Sequence, residues 1–111
     1  MGKSSDEVRD DIEATAVAYL TAFGREDVSA VLATFADDGV LMAPGRPSTH
    51  GKEALAKIYP AVFNAVRFSM RYEIKEVVQT SVDWAFVRSA TSGTETSKAT
   101  GTVTSESCEE L

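Results

Sequence analysis

The side chains with which this chain could do chemistry are few: three tyrosines, one histidine and one cysteine, set among Asp and Glu residues that outnumber Lys and Arg by 17 to 11. Tyr19 falls on the apolar face of a predicted helix, so its phenol could donate a hydrogen bond to a ligand carbonyl. A ring packed in the core with its hydroxyl at the edge fits the same position and is the commoner case. Tyr59 and Tyr72 allow the same two readings. His50 is the only histidine, and so the only side chain that titrates near neutral pH without help from its surroundings. It sits beside a Pro/Gly loop, where a general base or a ligand donor would be useful and where a solvated surface histidine is more usual.

Other chemistries lack their residues. One histidine, one cysteine and scattered carboxylates give no metal-ligand spacing, and Asp37-Asp38 reads as a solvated helix end. Cys108 has no Lys, Arg or His near it in sequence to lower its thiol pKa, so it is expected as a small buried or half-buried residue. Arg71 and Arg88 could pair with carboxylates such as Glu73 or Glu95, or clamp an anionic ligand; cross-strand pairing is the simpler reading. Phosphate loops, nucleophile elbows and CxxC pairs are absent, which removes nucleotide and hydrolase readings.

The elements that must position these residues follow from periodicity. Val8, Ile12, Ala16, Tyr19, Leu20 and Phe23 recur at three- and four-residue steps and predict a first helix, capped by Ser5 or Asp6 and stopped by a left-handed Gly24. Asp27 caps a short second helix with the stripe Val28, Val31, Leu32 and Phe35. Val40-Leu41-Met42 reads as a short strand, ended by Pro44-Gly45-Arg46-Pro47. A third helix starts near Gly51 and buries Leu55, Ile58, Tyr59 and Phe63, with a kink or an end expected at Pro60. The period then changes to two. Phe68, Met70, Tyr72 and Ile74 alternate with polar residues in one strand, a bulge is expected at Val77-Val78, and Trp84 to Thr91 forms a second strand. The Thr- and Ser-rich stretch from Thr91 to Leu111 is read as an exposed hairpin arm rather than a frayed tail.

Composition bounds the rest. The 111 residues make one domain, with a hydrophobic fraction of 43% that suits a single core. A net charge of −6 would repel nucleic acid and anionic membranes. With a single cysteine, no apolar run at the N-terminus and Asp6 where myristoylation of Gly2 needs Ser or Thr, a cytoplasmic location is expected.

The block Ala36-Asp37-Asp38-Gly39-Val40-Leu41-Met42-Ala43-Pro44-Gly45, followed by His50-Gly51-Lys52-Glu53-Ala54-Leu55, resembles the SnoaL-like and ketosteroid isomerase-like families of the nuclear transport factor 2-like superfamily. The likeness runs from about Val8 to the chain end. It implies an α+β, cone-shaped (cystatin-like) fold in which three N-terminal helices pack on a curved antiparallel sheet and enclose a cavity. Ketosteroid isomerases move a proton with an Asp base while a Tyr and a protonated acid hold the oxyanion. Tyr19 stands where the family's first-helix tyrosine aligns, the partner acid would fall near Cys108, and the Asp base would fall at Ala43. A methyl group accepts no proton, so that mechanism is not expected here.

The resemblance therefore implies a small-molecule pocket protein, binding or transforming an apolar ligand by isomerase- or cyclase-type chemistry. Tyr19, with His50, would polarise the ligand, and Phe23, Phe35, Leu41, Met42, Tyr59, Phe63, Phe68 and Met70 would form the walls. No cofactor and no metal are implied. The alternative is a non-catalytic dimerisation or accessory module whose cavity is filled by its own side chains. Family members usually continue past Glu109-Glu110-Leu111 with further strands, so the domain is expected to be C-terminally incomplete and to form a homodimer through sheet surfaces or edges, strand-exchanged in one version.

Overall fold

The computed structural model describes residues 4–111. Gly2, read above against lipidation, lies outside the described residues. The element order is α1 (Ser5–Gly24), α2 (Val28–Ala33), β1 (Val40–Leu41), β2 (Thr49–His50), α3 (Lys52–Ala65), β3 (Val66–Gln79), β4 (Ala85–Ser97) and β5 (Val103–Glu110). This is the α+β arrangement expected: N-terminal helices, then an antiparallel sheet in the order β3-β4-β5. Among the described residues no helix is long and apolar enough to cross a membrane.

Local chemistry sets the helix ends, with two departures from expectation. Ser4, not Ser5 or Asp6, caps α1, its hydroxyl accepting from the Glu7 amide at 3.2 Å. The left-handed residue after α1 is Glu26 (φ 55°) and not Gly24. The Arg25 and Glu26 amides close on carbonyls of the last turn first, so the chain reverses two residues later than the glycine suggests. Asp27 caps α2 as expected, accepting from the Ala30 amide at 3.1 Å. Pro60 neither ends nor interrupts α3, which runs to Ala65. Tyr59 and Phe63, buried on either side of it, offset the one lost backbone hydrogen bond.

The Pro/Gly loop folds back as a small hairpin. β1 pairs with β2, a strand that periodicity could not reveal because it is two residues long, and Met42 falls outside β1. Gly51, with φ 85°, lets α3 start tightly against this loop: its amide donates to the Gly39 carbonyl at 2.8 Å, and the Lys52 amide to the Asp37 carbonyl at 3.0 Å.

The sheet strands are longer than periodicity suggested. β3 pairs with β4 over almost its whole length, and the bulge falls between Ile74 and Glu76 rather than at Val77-Val78. The register divides the side chains between two faces. Phe68 packs on the helices, so its row and its partners make a helix face: Phe68, Met70, Tyr72 and Ile74 on β3, Ser89, Thr91, Gly93 and Glu95 on β4, and Thr104, Glu106, Cys108 and Glu110 on β5. The open face carries Arg67, Ser69, Arg71, Glu73, Glu76 and Val78, with Phe86, Arg88, Ala90, Ser92, Ser105, Ser107 and Glu109.

The fully buried core is small: Ala22, Val31, Leu55, Tyr59 and Phe63, with Tyr19, Phe23, Phe35, Leu41 and Phe68 packed around it. It joins α1, α2 and α3 to β3, whereas β5 is exposed along its length. The radius of gyration, 15.2 Å, exceeds the roughly 13 Å of a compact chain of this size, because β3 and β4 pair as one long ladder from Val66–Ser97 to Gln79–Ala85. The Thr-rich stretch, expected as an exposed arm, instead completes the central strand β4, and only β5 after it is exposed. One latch ties the β4–β5 turn to the helices. The Lys98 amide donates to the Ala65 carbonyl at 2.9 Å, and Lys98 Nζ bonds the Phe63 carbonyl and pairs with Glu26 at 3.3 Å.

Gly93 is the position where β4 accepts no side chain. A Cβ there would stand 2.1 Å from the Ser69 carbonyl oxygen and 2.8 Å from the Met70 Cα, both backbone atoms that cannot swing aside. Gly93→Ala should therefore cost more than about 2 kcal/mol, visible as a lowered urea midpoint. An unchanged midpoint would mean that β3 and β4 do not approach so closely.

Candidate active site

The helix face brings together the polar groups that the sequence scatters. Tyr19 on α1 and Tyr59 on α3 meet hydroxyl to hydroxyl at 2.6 Å. The helical period supplies both: Tyr19 belongs to the α1 stripe, and Tyr59 lies between Leu55 and Phe63 at four-residue steps. Their rings sit in one aromatic cluster. Tyr19 contacts Phe35 edge-on at 5.9 Å between centroids and Phe23 at 6.1 Å, and Phe23 contacts Phe63 at 5.1 Å and Phe68 at 4.9 Å.

Two phenols hold two O–H protons, the bond between them uses one, and either hydroxyl can be the donor. Tyr59 is only 2% exposed, while Tyr19 is half-buried. With Tyr59 as the donor, the Tyr19 oxygen accepts and the Tyr19 proton is free to point away from the pair. Burial, the largest effect, raises the pKa of both phenols above the ordinary value of 10, and the Glu110 carboxylate raises both further. The mutual bond opposes the rise at Tyr19 and adds to it at Tyr59, as expected when Tyr59 is the donor.

Beside the phenols, β4 and β5 contribute a second polar group. The buried Thr91 hydroxyl lies 3.1 Å from Cys108 Sγ and donates to Glu110 Oε1 at 3.2 Å, and the Cys108 thiol reaches the same carboxylate at 3.7 Å. Farther along this face burial, then the hydrogen bond to Glu106 and the charge of Glu106, push the Glu95 carboxyl above its ordinary pKa. Glu110 and Thr91 were not singled out from sequence. The signal was the period-two row Thr104, Glu106, Cys108 and Glu110, obscured by the low hydrophobicity of the strand.

The remaining sequence candidates separate into those gathered and those left apart. Phe23, Phe35, Leu41, Tyr59, Phe63 and Phe68 join Tyr19 in or against the core. Met70 is half-buried on the helix face, one step beyond Phe68. Met42 is 78% exposed. His50 is exposed in β2, opposite Val40. Ala43, half-buried, offers no acceptor atom. Arg88 pairs with Glu76 and Glu109, both at 3.1 Å, rather than with Glu73 or Glu95. Cys108 is exposed rather than buried, because nothing covers β5.

Two depressions mark the surface. One, of about 270 Å³, lies between the start of α1 and the end of β3, lined by Ser5, Asp6, Arg9, Ile12, Val77 and Gln79. The other, of about 260 Å³, is lined by Arg71, Tyr72, Glu73, Ala90, Thr91, Ser92 and Ser107. Neither includes Tyr19 or Tyr59.

With this geometry in hand, the comparison with known proteins is decisive for family. The SnoaL-like domain family matches residues 16–109. The chain belongs to that family. A ketosteroid isomerase-like protein from Erwinia carotovora atroseptica is 66% identical, with a TM-score of 0.85 over 88% of this chain and 75% of its own. A conserved protein from Planctomyces limnophilus shares the fold at 21% identity, TM-score 0.75, over 96% of this chain and 80% of its own. A Xanthomonas campestris protein named as a candidate polyketide cyclase does so at 20%, TM-score 0.62, over 91% and 78%. No curated protein matches the chain. This SnoaL-like domain thus has the superfamily fold expected from the Ala36 to Gly45 block and the His50 to Leu55 segment that follows it.

The raised phenol pKa values make a pH prediction. A phenol whose folded pKa lies above its unfolded value supports the fold fully below about pH 10 and progressively less as pH climbs toward the folded value. Urea stability should therefore decline above about pH 10. Tyr59→Phe, which leaves Tyr19 without its inner partner, should cost about 1 kcal/mol at neutral pH and flatten that alkaline decline. An alkaline limb identical to that of the parent protein would show that folding does not raise the Tyr59 pKa.

Proposed function

We propose that this SnoaL-like domain binds an apolar small molecule bearing a carbonyl oxygen, held on the helix face by the outward O–H of Tyr19. The observation that carries this reading is the 2.6 Å bond between the Tyr59 and Tyr19 hydroxyls; with Tyr59 as its donor, the Tyr19 proton is left for a ligand. Phe23, Phe35, Leu41 and Phe68 supply the apolar surroundings such a ligand would need, and Met70 extends them along β3. Small-molecule binding also fits the names of relatives, a ketosteroid isomerase-like protein and a candidate polyketide cyclase among them.

A carbonyl that accepts from Tyr19 is polarised, which is the first requirement of isomerase- or cyclase-type turnover. His50 and Met42, exposed around the β1–β2 hairpin, contribute only if that hairpin closes over the ligand. The second reading, an accessory module filled by its own side chains, is favoured by the completeness of the aromatic packing around Tyr59.

Thermal shift and titration against a panel of flat aromatic and polycyclic ketones distinguish the two. Binding is expected, and Tyr19→Phe should weaken it about tenfold, the worth of one neutral hydrogen bond of about 1.4 kcal/mol. A panel without any response supports the filled module, and binding that Tyr19→Phe leaves untouched removes Tyr19 from the site.

A further inference from the structure

The helix face of the sheet holds one polar group that the fold does not use. Ser89 is only 6% exposed, and its hydroxyl has no hydrogen-bond partner among the described residues. Every fully enclosed side-chain oxygen or nitrogen among those residues does have one, so the Ser89 hydroxyl opens onto accessible space. Thr91, two residues along the same row and equally buried, donates to Glu110 Oε1 at 3.2 Å. A hydroxyl as deep as that of Ser89 costs stability until something meets it.

An acceptor stands beside it. Ser89 and Glu110 are direct partners in the β4–β5 ladder, which sets their Cβ atoms about 4.5–5.5 Å apart on one face. Glu110 is held through Oε1, which accepts from Thr91 and from the Cys108 thiol at 3.7 Å, while its Oε2 has no partner among the described residues. The same carboxylate raises the pKa of Tyr19 and Tyr59, so it shares the surroundings of the phenols. The helix-face rows of the sheet also carry Glu95 and Glu106, and no Lys or Arg.

We infer, building on the carbonyl-binding reading of Tyr19, that its ligand is a neutral hydroxy ketone, with the carbonyl on the Tyr19 phenol and the hydroxyl between Ser89 Oγ and Glu110 Oε2. A ligand hydroxyl answers both groups at once, accepting from Ser89 and donating to Glu110. An ammonium only donates, and leaves the Ser89 proton unspent. A carboxylate accepts from Ser89 but meets Glu110 with no cation in the rows to offset the repulsion. A ketone that lacks the hydroxyl leaves Ser89 as it stands, unpaired. Ser89 and Glu110 therefore select the ligand, and Tyr19 polarises it.

The probes are fluorenone and benzanthrone, two flat polycyclic ketones, each with its ring-hydroxy and ring-carboxylic acid isomers, titrated at neutral pH. The best hydroxy isomer of a frame should bind at least about tenfold more tightly than the unsubstituted ketone, and no carboxylate isomer should bind more tightly than that ketone. Ser89→Ala should cut the ratio of hydroxy to unsubstituted affinity about fivefold. Glu110→Gln should cut the same ratio and raise the ratio of carboxylate to unsubstituted affinity about tenfold. Ratios are the readout because a merely structural loss weakens all ligands of a frame alike; circular dichroism checks folding. Unsubstituted ketones that bind with no gain from any hydroxy isomer, or a gain that Ser89→Ala leaves intact, would overturn the hydroxyl subsite while the Tyr19 reading stands. Silence from every probe would overturn both.

Discussion

Phe23 touches Tyr19, Tyr59, Phe63 and Phe68, so a single ring links α1 to α3 and both helices to the first long strand. The fully buried core is small, and much of the cohesion between layers passes through this cluster. Aromatic pairs add roughly 0.5–1.5 kcal/mol each beyond their buried area, and their preference for edge-on and tilted geometry fixes relative orientation as well as distance. That orientation is what sets two phenols from different helices at hydrogen-bonding distance. The site depends on the core because it is the polar edge of the core.

A strand period of two then sorts the remaining chemistry without any further device. On the helix face of β5 the row Thr104, Glu106, Cys108 and Glu110 carries carboxylates and no cation, and Glu110 raises the pKa of both phenols. On the open face arginines alternate with glutamates, and Arg88 bridges Glu76 and Glu109 across three strands. Such exposed pairs add little stability individually. Their effect is to neutralise one surface of an acidic protein.

Much of this architecture was legible in the sequence, because the signals were periodic. The α1 stripe, the Asp27 cap and the change of period after Ala65 all correspond to elements of the fold. What escaped was governed by contacts between distant residues. Nothing local tells that Pro60 will be carried through α3 by the burial of Tyr59 and Phe63, or that Glu26 rather than Gly24 will take the left-handed conformation. The two tyrosines were each visible as candidates, but their pairing spans forty residues and follows from how α1 and α3 cross. Glu110 was hidden for the opposite reason: an exposed strand has no hydrophobic alternation to show which face its carboxylate will take.

Register is therefore the quantity on which fold and chemistry both turn. A slip of one residue between β3 and β4 would exchange the two faces, turning Phe68 outward and Arg67 into the aromatic cluster. Burial of Phe68 against Phe23 resists that slip at one end of the strand. In the middle, only Gly93 can face Met70, because any Cβ at that point meets the backbone of β3. Beyond Ile74 the bulge changes which residues point inward, placing Val77 on the helix face and Glu76 beside Arg88 on the other. With the first alternation prolonged unbroken, Glu76 and Val78 would have turned toward α1, burying a carboxylate and exposing Val77. The bulge thus reconciles a strand whose two halves have opposite apolar parity, and in doing so it leaves Arg88 on the open face and the Thr91 hydroxyl beside Glu110 on the other.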